Sequence, residues 1–207
     1  MWTHTKETQD KISPKLALQY LKEGNCRFLN NLQTDRDLLK QVNLTADGQF
    51  PFAAILSCID SRTSAELIFD QGLGDIFSIR VAGNVINEDI LGSMEFACSI
   101  AHSKIIVVLG HTKCGAITGA CNDLKTGYLT GLLQKIKPAI DREMTVVRDR
   151  NGNNPEFVNK VSINHVKLTI DNIRAQSSIL RNLEQQGKIM ITGALYDIDT
   201  GAVNFFD

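Results

Sequence analysis

The stretch KIIVVL at residues 104–109 constrains the fold more than any other part of the chain. After Lys104 every residue is apolar and four are β-branched, so no side of the segment is left to face water. A run of this kind suits a strand covered on both faces, and such strands belong to parallel sheets with helices packed above and below. Residues 52–57 (FAAILS) form a second short apolar run, and 76–82 (IFSIRVA) are strand-like. Between the strands, 65–70 and 89–102 follow helical spacing. A turn at Gly110 leads toward a helix starting near Lys113 or Cys114. Residues 129–143 and 155–186 are largely helical, separated by an Asn- and Gly-rich loop at 144–154. Phe157, Val161, Val166, Ile170, Ile173, Leu180 and Leu183 make an apolar stripe that Gly187 ends at a C-cap position. Residues 188–195 and 202–206 flank DIDTG, a hairpin-like turn signal.

Ahead of the sheet, Ser13 before Pro14 starts a helix: the hydroxyl can cap free amides, and proline suits the first helical position. Leu16, Tyr20, Leu21 and Phe28 then recur at near-helical spacing, predicting an N-terminal helical arm over about 13–32. Residues 34–48 read as loop with a little helix. The fold class expected is α/β: a mainly parallel sheet with an antiparallel edge strand, flanked by helices, in one domain spanning 1–207.

A formal net charge of -1 on 207 residues gives no global bias toward nucleic acid. No apolar run approaches the roughly 20 residues of a membrane span. The N-terminus lacks the apolar core of a secretory signal, so the cytoplasm is the expected location. Five cysteines in such a chain are expected as reduced thiols or metal ligands rather than disulfides.

Two stretches carry the chemistry. SCIDSR ends the first core strand with Cys58, Asp60 and Arg62; GHTKCG follows the strand at 104–109 and supplies His111 and Cys114. Sites in parallel α/β sheets gather at the carboxyl ends of strands where the chain order reverses. If the two strands are neighbours, two thiolates and an imidazole converge, a donor set that favours zinc. Three protein ligands would leave the fourth tetrahedral position open, as catalytic zinc sites do. A lone buried cysteine is ordinarily a small hydrophobe, and Cys26, Cys98 and Cys121 are read that way. In an extended chain, residues two apart share a face, which would set Asp60 and Arg62 beside one another and beside the metal.

SCIDSR resembles the C-x-D-S-R motif of the β-class carbonic anhydrases, and GHTKCGA resembles their G-H-x-x-C-G motif. IRVAGN (79–84) is similar to the segment between them, and GALYDIDTG (193–201) to the family's last strand pair; the resemblance covers about 13–207. It implies one Zn²⁺ per subunit held by Cys58, His111 and Cys114, an Asp60–Arg62 dyad, and a dimer or tetramer with the N-terminal helices wrapped around the partner. The implied activity is reversible hydration of CO2 to bicarbonate and a proton by zinc-bound hydroxide. Asp60 would accept a hydrogen bond from that hydroxide, and Arg62 would hold Asp60 ionised and fixed by a charge-assisted pair. Gln49 and Phe77 match the family's substrate-contacting glutamine and aromatic pocket residue, supplied at least partly by the neighbouring subunit. Without the resemblance they are a loop glutamine and a core phenylalanine. A subgroup in which the aspartate binds zinc carries Trp three residues before the first cysteine. Ile55 stands there in this chain, so the open site is expected, with Asp60 a metal ligand only in a closed state.

No other histidine is nominated as a proton shuttle: His4 lies in a mobile tail, His102 at a helix C-terminus, His165 within a long helix. The alternatives weighed are a carbonyl sulfide or carbon disulfide hydrolase on the same fold and a non-catalytic bicarbonate-binding zinc protein. A P-loop fails, because GHTKCG lacks the following Lys-Ser/Thr.

Overall fold

The computed structural model describes residues 3–206. Chain order runs α1 (Lys6–Asp10), α2 (Pro14–Leu29), α3 (Leu38–Leu44), β1 (Ala53–Ser57), α4 (Ala65–Ile68), β2 (Ile76–Arg80), α5 (Glu88–Glu95), β3 (Ile105–His111) and α6 (Gly115–Cys121). It continues with α7 (Gly127–Gln134), α8 (Lys137–Arg142), α9 (Pro155–Gln176), α10 (Ser178–Gln185), β4 (Met190–Tyr196) and β5 (Val203–Phe205). The strands form one sheet in the order β2-β1-β3-β4-β5, parallel throughout except for the β4–β5 pair. The α/β class, the parallel core and the antiparallel edge strand are as the sequence predicts. Among the described residues, no helix is long and apolar enough to cross a membrane.

Every residue of β1 and β3 is buried. On one face Ile55, Ile105, Val107 and Leu109 pack with Leu21 of α2 and with Phe52 and Phe69. On the other, Ala54, Leu56, Ile106 and Val108 pack with Met94 of α5, with Val166 and Ile170 of α9, and with Leu180 of α10. A third cluster lies beyond the strand ends, where Cys58 and Cys114 meet Ile117, Ile136, Phe157 and Val161. The chain goes from β1 outward to β2 and then crosses to β3 on β1's other side, so order reverses between β1 and β3. Ser57 pairs with Leu109; the chain leaves the sheet after Ser57, while β3 runs two residues further beside β4, to His111.

Helix α2 begins as expected: Ser13 Oγ accepts from Leu16 N at 3.2 Å, a cap typically contributing about 1 kcal/mol. The helix packs close. A methyl group at Gly24 would lie 1.8 Å from the Phe69 carbonyl oxygen. Its neighbour Asn25 donates to the Ile68 and Gly201 carbonyls and accepts from Val203 N, tying α2 to α4 and to the last strand.

Four expectations need correction. Gly110 is not a turn; it pairs with Leu195 inside β3, which runs on to His111. Its lack of a side chain admits α9 instead, since a Cβ there would meet Val166 at 2.6 Å. The helix read over 155–186 breaks at Ser177, whose hydroxyl caps α10 through Leu180 N at 3.1 Å and reaches Glu95 at 2.5 Å. Residues 129–143 hold two helices, with Pro138 in the first turn of the second. His4 is not in a free tail: its ring lies edge-on to Phe52 at 5.4 Å, ahead of the α1 helix that a Thr5–Thr8 capping box starts.

Candidate metal centre

Cys58 is the first residue after β1, His111 the last of β3, and Cys114 the residue that precedes α6. All three are buried, and one donor-type atom from each lies within 4.8 Å of the others. The sheet register produces this meeting, since β1 and β3 are adjacent and β3 ends only two residues beyond the end of β1. The tight link between His111 and Cys114 turns on Lys113, held at φ 55° in the left-handed region.

The donor atoms have a telling polarity. His111 Nδ1 lies 2.9 Å from the Thr112 carbonyl oxygen, which can only accept, so Nδ1 carries the proton. Nε2 is therefore a bare lone pair, buried and with no hydrogen-bond partner. The neighbouring Cys114 thiol above all, with His111 and then the Gly83 amide adding to it, pulls the Cys58 pKa down to about 4 against the opposing effect of burial. The closeness of Cys58, together with burial, pushes the Cys114 thiol up. A thiolate, a second thiol that ionises readily only beside a cation, and an unused imidazole nitrogen make a donor set that fits a soft or borderline divalent metal. The other cysteines differ. Burial raises the Cys98 thiol to about 12 and the half-buried Cys121 to about 11. Cys26 is exposed on α2 rather than packed as a small hydrophobe.

Asp60 and Arg62 meet, but not by the extended geometry expected of them. β1 stops at Ser57, the chain turns, and Arg62 folds back over Asp60. Arg62 Nε donates to Oδ1 at 2.9 Å and Nη2 to Oδ2 at 2.7 Å, while the Arg62 amide also donates to Oδ1 at 3.0 Å. The two-pronged guanidinium bond is the chief reason the Asp60 carboxyl sits well below the usual carboxylate range. With both oxygens engaged by Arg62, Asp60 is not one of the three clustered donors.

Several supporting residues escaped sequence reasoning. Arg80, at the end of β2, donates to the carbonyls of Cys58 at 3.0 Å and Asp60 at 2.6 Å. Thr63 Oγ1 bonds the same two carbonyls at 3.1 and 2.9 Å. The Gly83 amide donates to Cys58 Sγ at 3.3 Å, and His165 Nε2 lies 2.8 Å from the Gly83 carbonyl oxygen. The β4–β5 turn clips the His111–Cys114 link: Ile198 N donates to Thr112 Oγ1 at 3.0 Å, and Lys113 pairs with Asp199 at 2.5 Å. Arg80 had a sequence signal, because it ends a third strand at the same edge of the sheet; His165, deep in α9, had none.

Gln49 is exposed on the segment leading to β1. Phe77 lies on edge strand β2, paired with Ala54, its ring edge-on to Phe96 at 6.2 Å. The groove it lines includes Arg80 but none of the three clustered donors. Among the described residues neither belongs to the hydrogen-bonded framework of the cluster.

Burial holds His165 neutral, lowering its pKa to about 4 although the Gly83 carbonyl bond favours the protonated ring. An unfolded histidine titrates near 6.5, so between those values the unfolded chain binds a proton that the folded chain refuses. Stability should therefore fall as pH drops from about 6.5 to 4, by about 3 kcal/mol in all. Thermal denaturation of the wild type and His165→Gln across that range checks this. The wild-type midpoint should fall more steeply, and equal slopes would remove the claim.

A family model described as carbonic anhydrase matches residues 53–203. Carbonic anhydrase 2 of Mycobacterium tuberculosis is 37% identical over 196 residues, 91% of each chain. The carbonic anhydrase of Mycolicibacterium smegmatis is 32% identical over 92% of each. Among solved structures, the β-carbonic anhydrase CafA of Aspergillus fumigatus superposes with a TM-score of 0.72 at 25% identity, covering 93% of this chain and 90% of that one. A β-carbonic anhydrase of Sordaria macrospora, described as tetrameric, shares the fold with a TM-score of 0.69 at 22% identity over 81% and 89%. With strand order, paired motifs and relatives in agreement, this chain belongs to the β-class carbonic anhydrase family.

Proposed function

We propose that Cys58, His111 and Cys114 hold one zinc ion and that the chain catalyses the reversible hydration of CO2 to bicarbonate and a proton. The observation that carries this is the bare, unpartnered Nε2 of His111 beside two buried cysteine sulfurs. One imidazole and two thiolates suit zinc better than oxygen-seeking magnesium or calcium, and three ligands leave a position open. When bound, the metal supplies a nucleophile derived from water near neutral pH, chemistry for which carbonic anhydrases are themselves the reference case.

The chain's own residues do the rest. Asp60, kept anionic by Arg62, can only accept hydrogen bonds, so it fixes the orientation of a hydroxyl group that donates to it. Arg62 also engages both carboxylate oxygens, which opposes a swing of Asp60 onto the metal. Arg80 and Thr63 hold the backbone of residues 58–60, so the sulfur and the carboxylate keep a fixed spacing. Gln49 and Phe77 are proposed as a directing donor and an apolar wall of the CO2 pocket, completed across a subunit boundary.

Self-association as a dimer or tetramer is part of the proposal. Leu29, Leu32, Leu38, Leu39, Val42 and Leu44 are all exposed in the N-terminal region, more apolar surface than a lone arm needs. The relative from Sordaria macrospora is described as tetrameric.

Stopped-flow CO2 hydration with zinc quantitation tests the reading. Asp60→Asn keeps the shape of the side chain but loses the anion. It should retain its zinc while activity falls on the order of a hundredfold, the scale of losing one aligned polar contact at a reacting centre. Full activity in that variant would remove Asp60 from its assigned role, and a zinc-loaded wild type inert toward CO2 would remove the activity.

A further inference from the structure

We infer that His165 is a positioning residue for the metal centre: its Nε2–H holds the Gly83 carbonyl, and thereby holds the Gly83 amide against Cys58 Sγ. This rests on the reading that Cys58 binds the metal.

Gly83 sits at φ 65° and ψ 17°, a conformation that costs glycine nothing but that glycine has no intrinsic reason to keep. External bonds must fix it. On its amide side the N–H reaches Cys58 Sγ at 3.3 Å; on its carbonyl side the oxygen lies 2.8 Å from His165 Nε2. A third bond, Asn84 N to Val81 O at 2.9 Å, closes the turn around it. A carbonyl oxygen only accepts, so the proton of the neutral ring must be on Nε2. The bond crosses 82 residues of sequence and is buried. Helix α9 thus reaches the first ligand through a single peptide turn, without touching the ligand itself.

An N–H directed at a thiolate draws electron density from the sulfur and weakens its donation to a metal. With two thiolates in the set, that withdrawal keeps the metal electrophilic, so loosening Gly83 should make Cys58 a stronger donor and the centre a weaker acid. Outer-shell bonds of this kind are worth about 10–100-fold in affinity or activity. Space permits the test, because His165 also lines a cavity of about 600 Å³ with Val85, Leu168 and Thr169. Other polar side chains fit there without overpacking.

The experiment compares His165→Gln with His165→Asn in the full-length protein loaded with Co²⁺. The glutamine amide nitrogen reaches about as far as Nε2, whereas the asparagine nitrogen falls short. The sulfur-to-cobalt absorption band should stay in place in the glutamine variant and move to longer wavelength in the asparagine variant. With zinc, kcat/KM at pH 7 should fall at most about twofold in the former and roughly tenfold in the latter, with the midpoint of the pH profile displaced upward. If the two variants share the same band, whether native or displaced, the positioning role is overturned. If wild type gives no sulfur-to-cobalt band at all, the metal reading fails and this inference goes with it.

Discussion

Replacing Cys114 with serine is expected to cost the chain its metal and nearly all its activity. Cys114 is 1% exposed and stands with Cys58 and His111 as one of three clustered donors. Serine is close in size, so packing against Ile117 and Phe157 should survive. Its oxygen, however, is harder and does not ionise near neutral pH, leaving one thiolate and one imidazole to grip the ion. Zinc should fall from about one per chain to about a tenth or less after dialysis against a chelator, and CO2 hydration by roughly a thousandfold or more, because the nucleophile depends on the ion. The pKa relation between the cysteines adds a second signature. The Cys114 thiol is the main reason Cys58 ionises at about 4, so the thiol reactivity of Cys58 should change in the variant even with metal withheld. Metal analysis, stopped-flow rates and thiol titration check each part. A Cys114→Ser protein that keeps stoichiometric zinc would overturn the assigned ligand set.

Gly24→Ala is expected to be the most destabilising single methyl addition in the N-terminal region. In an exposed helix the exchange is worth up to about 1 kcal/mol of stabilisation. Here the new methyl would stand 1.8 Å from the Phe69 carbonyl oxygen and 2.7 Å from its carbon. Those are backbone atoms of a fully buried residue, so no rotamer change relieves the clash, and α2 or the end of α4 must move. Moving α2 also strains the three hydrogen bonds of Asn25. Overpacking costs about 1–3 kcal/mol and occasionally more; with backbone on one side, about 3 kcal/mol or more net is expected. For a chain of this size the melting midpoint should drop by roughly 6–12 °C. A variant that melts at or above the wild-type temperature would show that the helices are not in contact at Gly24.

The parts of the molecule legible in advance are those governed by local pattern. KIIVVL could only be a strand covered on both faces, and Ser13-Pro14 and Gly187 marked helix ends through cap chemistry that acts over a few residues. The convergence of Cys58 with His111 and Cys114 was legible as a condition: it required β1 and β3 to be neighbours, which the sheet order supplies. What escaped depends on contacts made across the chain. Gly110 read as a turn because its reason for being glycine lies in Val166, on a helix far along the sequence. The Asp60–Arg62 pair was anticipated, but its geometry comes from a turn and a folded-back guanidinium rather than a strand face. Ser177 looked like one more polar residue in a helix until its capping bond and its contact with Glu95 were visible.

The clip between the β4–β5 turn and the His111–Cys114 link bears on how the molecule folds. Thr112 and Lys113 are held by Ile198 and Asp199, partners 86 residues later. A contact across so long a stretch of chain carries a loop-closure cost that must be met before the contact stabilises anything. The pairing of β1 with β3 brings Cys58, His111 and Cys114 together over shorter separations. A chain that has made that pairing but not yet docked the β4–β5 hairpin lacks the brace on the link between two of the three donors. The hairpin acts as the latch that closes the centre at the end of folding.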